Sequence, residues 1–372
     1  MQNNRKYLFI GLGEILWDIL PDETHLGGAP ANFAYHAGAL GADAVVVSAV
    51  GNDSQGEKIL KKLKAMNLST EYIKTSDKYP TGSVTVDINE QGNPSYEIHE
   101  NSAWDFIEFS PKLNELAQNA DVICFGSLAQ RRQVSRDTIQ SFLKSAKPTS
   151  LRIFDVNIRQ NFYSKQILEQ SLQAANILKI NTKELKIIAE LLDTKRSEDT
   201  TEPGALPKPD VFSDTKRSED TTEPGNLPEP DVFSDTKRSA EPDVFSDTKR
   251  SEEPDVFSDT KRSAEPGVFS ENDEKSLLKD LLNRCDLSLI ALTRGFDGST
   301  LVTAERISNH RGFHLEPVDT VGAGDAFLAA LSWGLINKLD LDLINNYANH
   351  IAGYVCTQTG ATPIIPKELL RI

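Results

Sequence analysis

Cysteine is scarce in this chain. Its 372 residues contain three, Cys124, Cys285 and Cys356. They are too scattered for a disulfide framework or for CxxC metal spacing, which suits a reducing compartment and a role as small buried hydrophobes. Long apolar runs are missing as well. Nothing approaches the ~18 uninterrupted apolar residues of a spanning helix. The run Tyr7 to Ile10 after Lys6 is too short for a signal peptide and has no small-residue cleavage site, so a cytoplasmic location is expected. Basic residues are in deficit: 40 Lys and Arg face 55 Asp and Glu, a net charge of −15. That balance argues against nucleic acid or an anionic membrane as the main partner. The GxxxxGK[ST] phosphate loop is absent, and so is the HRD and DFG set. Any phosphate grip must therefore come from another device.

What the chain has in abundance is repetition. Between Asp193 and Ser270 lie five tandem units that begin DTKRS and end VFS, with lengths of 21, 21, 12, 12 and 12 residues. Each is Asp, Glu, Lys, Ser, Thr and Pro around a lone Val-Phe pair, too little apolar surface to offset chain entropy. Unequal periods exclude a solenoid, whose stacked units must match. The segment 193–270 is expected to be a disordered insertion, with a docking array for VFS as the alternative. It carries 20 acidic and 11 basic residues, so most of the net charge resides there. The remaining 294 residues, 1–192 and 271–372, are a size suited to one α/β domain.

In that core, short apolar runs read as strands: Tyr7 to Gly11, Ala44 to Val50, Val122 to Gly126, Leu151 to Val156, Ile177 to Ile180 and Ser288 to Thr293. Stretches of helical period, such as Gly56 to Met66 and Lys275 to Arg284, alternate with them. This alternation predicts a mostly parallel sheet with helices on both faces and ligand loops beyond the strand carboxyl ends. One region departs from it. Gly82 to Ile107 alternates at period two around Asn89-Glu90-Gln91-Gly92-Asn93-Pro94, which predicts a β-hairpin. Paired with Trp17 to Leu26, it would form a small sheet over the site, a lid spanning about 14–28 and 82–107, able to exclude water.

The strongest local signal is DTVGAGDAF at 319–327, followed by a helical pattern from Phe327 to Leu335. Small residues at Gly322, Ala323 and Gly324 let the backbone approach an anion, and free N–H groups at a helix start stabilise phosphoryl charge. Asp325, in the first turn beside those donors, is placed to accept a hydroxyl proton as general base. For GxGD alone, a helix capped after an ordinary Gly turn would explain the residues equally well.

The longer stretch resembles the C-terminal signature of PfkB sugar kinases, and GGAPANFA at 27–34 resembles their N-terminal one, in the same order along the chain. The resemblance runs from Gly11 to about Pro363, broken by the repeats. It implies a ribokinase-like three-layer α/β/α sandwich with a mostly parallel central sheet and a small β-sheet lid. It also implies ATP as donor and Mg²⁺ as the metal. On the same analogy Asp18, Gly28 and Asn32 match sugar-contacting positions, while Asn157 and Arg159 lie in the DxNxR stretch, whose Arg fork could bind a phosphate or sugar oxygen. Asn181 and Glu184 match NxxE, whose carboxylate helps hold hydrated Mg²⁺. In isolation they fit a helix cap with Glu in a capping box. Thr293, Gly295 and Gly298 resemble the nucleotide-phosphate loop, where Arg294 could be a merely solvated charge, and Asn349 falls in the helix flanking the base. Asp319 stands where a ligand for the K⁺ used by many relatives would sit.

These expectations combine into a kinase that binds sugar under the lid and ATP along the groove. The forms GGAPANFA and GEILWD are most like fructokinases, which points to fructose. Ribose, 2-keto-3-deoxygluconate and a nucleoside are alternatives, and a non-catalytic sugar-binding scaffold is an alternative of another class. A homodimer through lid strands is a further expectation.

Overall fold

The computed structural model describes residues 6–88, 94–197 and 271–370. Along the chain, β1 (Leu8–Leu12), β2 (Leu16–Ile19) and β3 (Thr24–Gly27) lead into α1 (Ala29–Ala39), β4 (Asp43–Gly51), α2 (Ser54–Ala65) and β5 (Ile73–Ser76). The hairpin of β6 (Gly82–Ile88) and β7 (Pro94–Ile98) precedes α3 (Pro111–Asn119), β8 (Val122–Gly126), α4 (Gln133–Ser145) and β9 (Leu151–Asp155). Next come α5 (Lys165–Ala174), β10 (Ile177–Asn181) and α6 (Thr182–Ser197), then α7 (Glu271–Arg284) and β11 (Leu289–Thr293). The antiparallel pair β12 (Ser299–Val302) and β13 (Ile307–His310) is followed by α8 (Ala323–Ile336) and α9 (Leu341–Cys356).

Nine strands form one sheet in the order β13-β12-β11-β10-β9-β8-β1-β4-β5, parallel except at β12 and β13. Its inner strands are mostly apolar on both faces, as a sheet covered on two sides requires. In β4, Val45, Val47 and Ala49 face one core, while Ala44, Val46 and Val50 face the other. The first core is completed by side chains such as Leu113, Phe142, Leu168 and Leu278 from α3, α4, α5 and α7. The second is completed by Phe33, Ile59, Phe327 and Ile344 from α1, α2, α8 and α9. This is the three-layer sandwich the sequence pattern predicts. Among the described residues, no helix is long and apolar enough to cross a membrane.

The smaller sheet has the order β3-β2-β6-β7, with β2 and β6 parallel and the outer pairs antiparallel. Two expectations need correction. The hairpin does not continue to Ile107: β7 ends at Ile98, and Ala103–Phe106 form a 3-10 turn. There Ser102 caps the turn and Asp105 accepts from the Ser102 N–H, so the period-two pattern beyond Ile98 reflects a capped turn burying Trp104. The insertion also does not begin at Asp193, because α6 carries the first DTKRS through Ser197. The hairpin turn at 89–93 and the repeats from 198 to 270 lie outside the described residues.

Candidate active site

The centre of the site is the start of α8. Gly322 is its N-cap with φ of 79°, and a Cβ there would sit 2.4 Å from the Ala361 carbonyl oxygen, so only glycine fits this entry to the helix. The neutral His36 imidazole donates from Nε2 to the same carbonyl at 2.9 Å, and burial lowers its pKa to about 4. Ala361 thus fastens α1 and α8 together. The first N–H groups of α8 have no partner within the helix, so the Gly322 to Gly324 end carries the positive pole of the helix dipole. Directly behind it lies Lys179: a Cβ on Gly324 would be 3.1 Å from Nζ.

Asp325 accepts a hydrogen bond from Asn32 Nδ2 at 2.9 Å. Burial, then the charge of Asp155, raises its carboxyl to about 7, against the opposing pull of Asn32, Lys179 and Arg159. Lys179 is buried and paired with Asp155 at 2.9 Å, neighbours by strand register. Although burial opposes its charge, Asp155 and Glu184 carry the Lys179 ammonium up to about 12. A buried cation therefore stands behind the start of α8 at any ordinary pH.

On the small-sheet side, Gly28 caps α1 with φ of 110°, and a Cβ would meet the Glu14 carbonyl oxygen at 2.5 Å. Asn32 follows one turn later, buried. Asp18 on β2 lies opposite His25 and over Gly27, where a Cβ would fall 2.1 Å from its Oδ2. Burial raises Asp18 to about 6, while His25 and Arg159 act against the shift. Arg159 is exposed on the loop after β9, its Nη1 donating to Ile158 O at 3.2 Å.

On the other side of the α8 N-terminus is a cavity of about 240 Å³, lined by Thr293, Gly298, Phe313, Leu315, Gly324 and Asn349 among others. Gly295 (φ 61°) also lines it, and Gly298 (φ 80°) turns where a Cβ would strike the His310 carbonyl. Asn349 is tied inward, donating to Ser299 Oγ at 2.7 Å. Arg294 is not a solvated charge: it is ion-paired with Glu274 of α7 and donates to Thr300 Oγ1 at 2.9 Å.

Asn181 and Glu184 form the capping box. Asn181 Oδ1 accepts from the Lys183 and Glu184 N–H groups, and Glu184 Oε2 accepts from the Asn181 N–H. Glu184 Oε1 accepts from the Ile158 N–H at 3.0 Å, which ties α6 to the Arg159 loop. Asp319 likewise accepts from the Val321 and Gly360 N–H groups, bracing the turn into α8.

Sequence reasoning missed Glu14 and Lys179. Glu14 is 2% exposed and its Oε2 has no hydrogen-bond partner. A charged residue inside the apolar run of β1 and β2, and a lysine inside a central parallel strand, were the available signals.

A helix start with a buried carboxyl beside it and a cavity on its other side thus sits on a ribokinase-like fold. The pfkB family carbohydrate kinase profile matches residues 22–205 and 254–368, and the chain belongs to that family. The break in the match falls within the repeats. An uncharacterized sugar kinase from Pyrococcus horikoshii is 26% identical over 369 residues, covering 96% of this chain and 89% of that protein. Its crystal structure superposes with a TM-score of 0.64, over 95% and 93% of the two chains. A fructokinase of Salmonella typhimurium is 28% identical over 190 residues, 48% of this chain and 61% of that one. The ATP-bound fructokinase of Xylella fastidiosa shares the fold with a TM-score of 0.69 at 16% identity, covering 98% of each chain.

Proposed function

We propose that the protein is an ATP-dependent sugar kinase that phosphorylates a primary hydroxyl, with fructose as acceptor and fructose 6-phosphate as product. The observation that carries this reading is Asp325, held by Asn32 beside the anion-binding start of α8, between the cavity and the small sheet. Sugar bound near Asp18, Gly28 and Asn32 would present its hydroxyl to Asp325. The hydroxyl oxygen attacks the γ-phosphorus, its proton passes to Asp325, and the bond to the bridging oxygen breaks to leave ADP. Gly322, Ala323 and Gly324, backed by Lys179, hold the charge that develops on the transferred group. Thr293, Gly295, Gly298 and Asn349 frame the nucleotide, with Phe313 and Leu315 offering an apolar wall to its base.

Among the described residues no three His, Cys, Asp or Glu side chains form a metal cage. That fits Mg²⁺, which is commonly held by one or two carboxylates together with substrate phosphates. When bound, it would neutralise phosphate charge. Glu184, engaged by two backbone N–H groups, would act through water, and Asp319 is assigned the K⁺ position.

Charge favours a neutral acceptor. The four strands of the small sheet, LWDI, THLG, GSVTVDI and PSYEI, contain no Lys or Arg. The site adds the carboxyls of Glu14, Asp18 and Asp325 and the guanidinium of Arg159. Such a surround suits sugar hydroxyls and disfavours the carboxylate of 2-keto-3-deoxygluconate. The test is an ATP-consumption screen with Mg²⁺ and K⁺ against fructose, ribose, 2-keto-3-deoxygluconate and adenosine, with Asp325→Ala alongside. Fructose-dependent turnover lost in the variant is expected. Silence from well-folded protein with all four acceptors would remove the reading.

A further inference from the structure

Glu14 follows Gly13 between β1 and β2. Its backbone lies against Gly28, and Gly13 in turn packs on Pro30 and Ala129, so the segment is clamped between the α1 start and the turn after β8. Inside that clamp the carboxyl is buried and its Oε2 has no donor. A buried acceptor left unpaired costs about 1–3 kcal/mol, more when charged, and such groups ordinarily have a partner. Asn32 presents a second case nearby on α1. Its amide nitrogen is committed to Asp325, which turns Oδ1 away as a buried acceptor that is also unpaired. Two orphaned acceptors flanking one helix start call for a ligand rich in donors.

The groups facing Glu14 set the chemistry. Arg159 acts on it from the loop after β9, Asp155 from β9 and Asp325 from α8. Cys124, buried on β8, lies within the same electrostatic neighbourhood. Two cations stand among these carboxyls: Arg159, shared with Asp18 and Asp325, and Lys179, paired with Asp155. The carboxyls of Glu14, Asp18, Asp155 and Asp325 outnumber these two cations and disfavour an anionic ligand, and among the described residues no three His, Cys, Asp or Glu side chains gather to hold a metal cation. A sugar hydroxyl satisfies the oxygen and adds no charge.

We infer that Glu14 is a further sugar-recognition residue of this site, its unpaired Oε2 accepting a hydroxyl of the bound acceptor. The inference rests on the kinase reading above and assigns a contact that reading does not need. It has a consequence for protons. Burial raises the free Glu14 carboxyl to about 7, with its own backbone N–H and Arg159 opposing and Asp325 and Asp155 adding to the rise. A donated hydroxyl favours the ionised form. Sugar binding near neutrality should therefore release protons, with Glu14 contributing beside Asp325.

Two measurements test this. Steady-state kinetics of Glu14→Gln should show the fructose KM raised about tenfold or more, the scale of a hydrogen bond to a charged group, with the ATP KM changed far less. Calorimetric titration of wild-type protein with fructose at neutral pH, in buffers of different ionisation enthalpy, should show net proton release, reduced in Glu14→Gln. A wild-type fructose KM in the variant, or a lowered melting temperature as its only change, would overturn the assignment. So would fructose binding to wild type without proton release, a result that does not depend on the variant folding. Absence of turnover by wild type with all four acceptors rejects the kinase reading itself, whereas normal fructose turnover with an indifferent Glu14→Gln rejects the Glu14 contact alone.

Discussion

At the scale of single residues, the Asp325 carboxyl meets opposing demands. In the proposed role of base it must be ionised, yet burial and Asp155 hold its pKa at about 7, above the unfolded value of about 3.9. The native state therefore binds this proton more tightly than the unfolded chain does. The resulting stabilisation is full below the unfolded pKa and is lost as pH rises through the folded one. Activity runs the other way: kcat/KM for the sugar should climb through an apparent pKa near 7, a value belonging jointly to Asp325 and Glu14, which titrate in the same range. Asp325→Asn should lose about 10²- to 10⁴-fold in kcat. The same change should raise the melting temperature at about pH 8, an advantage that shrinks toward about pH 5. A flat pH-rate profile, or a variant less stable at the higher pH, would contradict this account. Asp325 stood out in the sequence because its motif is local, with the α8 N-cap three residues away, whereas its Asn32 donor comes from 293 residues earlier. Lys179 and Glu14 did not. Lys179 matters only because β10 pairs with β9 and sets it beside Asp155, and Glu14 only because β1 runs into the α1 start. Both are facts of register and packing, which no linear spacing records.

At the scale of elements, hydrophobic period located the central strands to within a residue or two, because strands buried on both faces are continuous apolar runs bounded by turns. The small sheet was legible in its β2 to β6 pairing but not in its end. Beyond Ile98, alternation served the Ser102 turn, and what holds that turn is a side chain from a distant position. Arg131 donates to Asp105 through Nε at 2.7 Å and Nη2 at 2.8 Å, and to His99 O at 2.7 Å. Its guanidinium lies between the Trp104 ring, at 4.1 Å, and the Phe162 ring, at 4.6 Å. It thereby links the foot of β7 to the loop that carries Arg159. Arg and Asp side chains are 3% and 0% exposed, so removing one partner strands a buried charge. Arg131→Leu should cost about 3–5 kcal/mol of unfolding free energy in urea titrations, with much of that recovered in Arg131→Leu/Asp105→Leu. A cost under about 1 kcal/mol would mean the pair is no more than a surface-type contact.

At the scale of the whole molecule, the small sheet ends in β3 and β7, the strands through which a homodimer of the expected kind would form. The repeats pose the larger question. The family profile stops at 205 and resumes at 254, while α6 ends at Ser197 and α7 begins at Glu271. Between these helices lie 73 residues, 198–270, outside the described residues and poor in apolar side chains. Closing a flexible loop costs entropy that grows only logarithmically, about 0.6 kcal/mol per doubling of length. Replacing 198–270 by a Gly/Ser linker of about nine residues halves the loop three times. It should leave sugar turnover within about twofold and raise unfolding free energy by about 2 kcal/mol. Cutting from Asp193 instead would remove the last turn of α6 and forfeit part of that gain. Kinetics and urea unfolding of both deletions beside the intact chain decide the matter. Lost turnover or a lower stability in the 198–270 deletion would show that the repeats contribute structure to the kinase, and equal stability in the two deletions would show that the helical DTKRS does not.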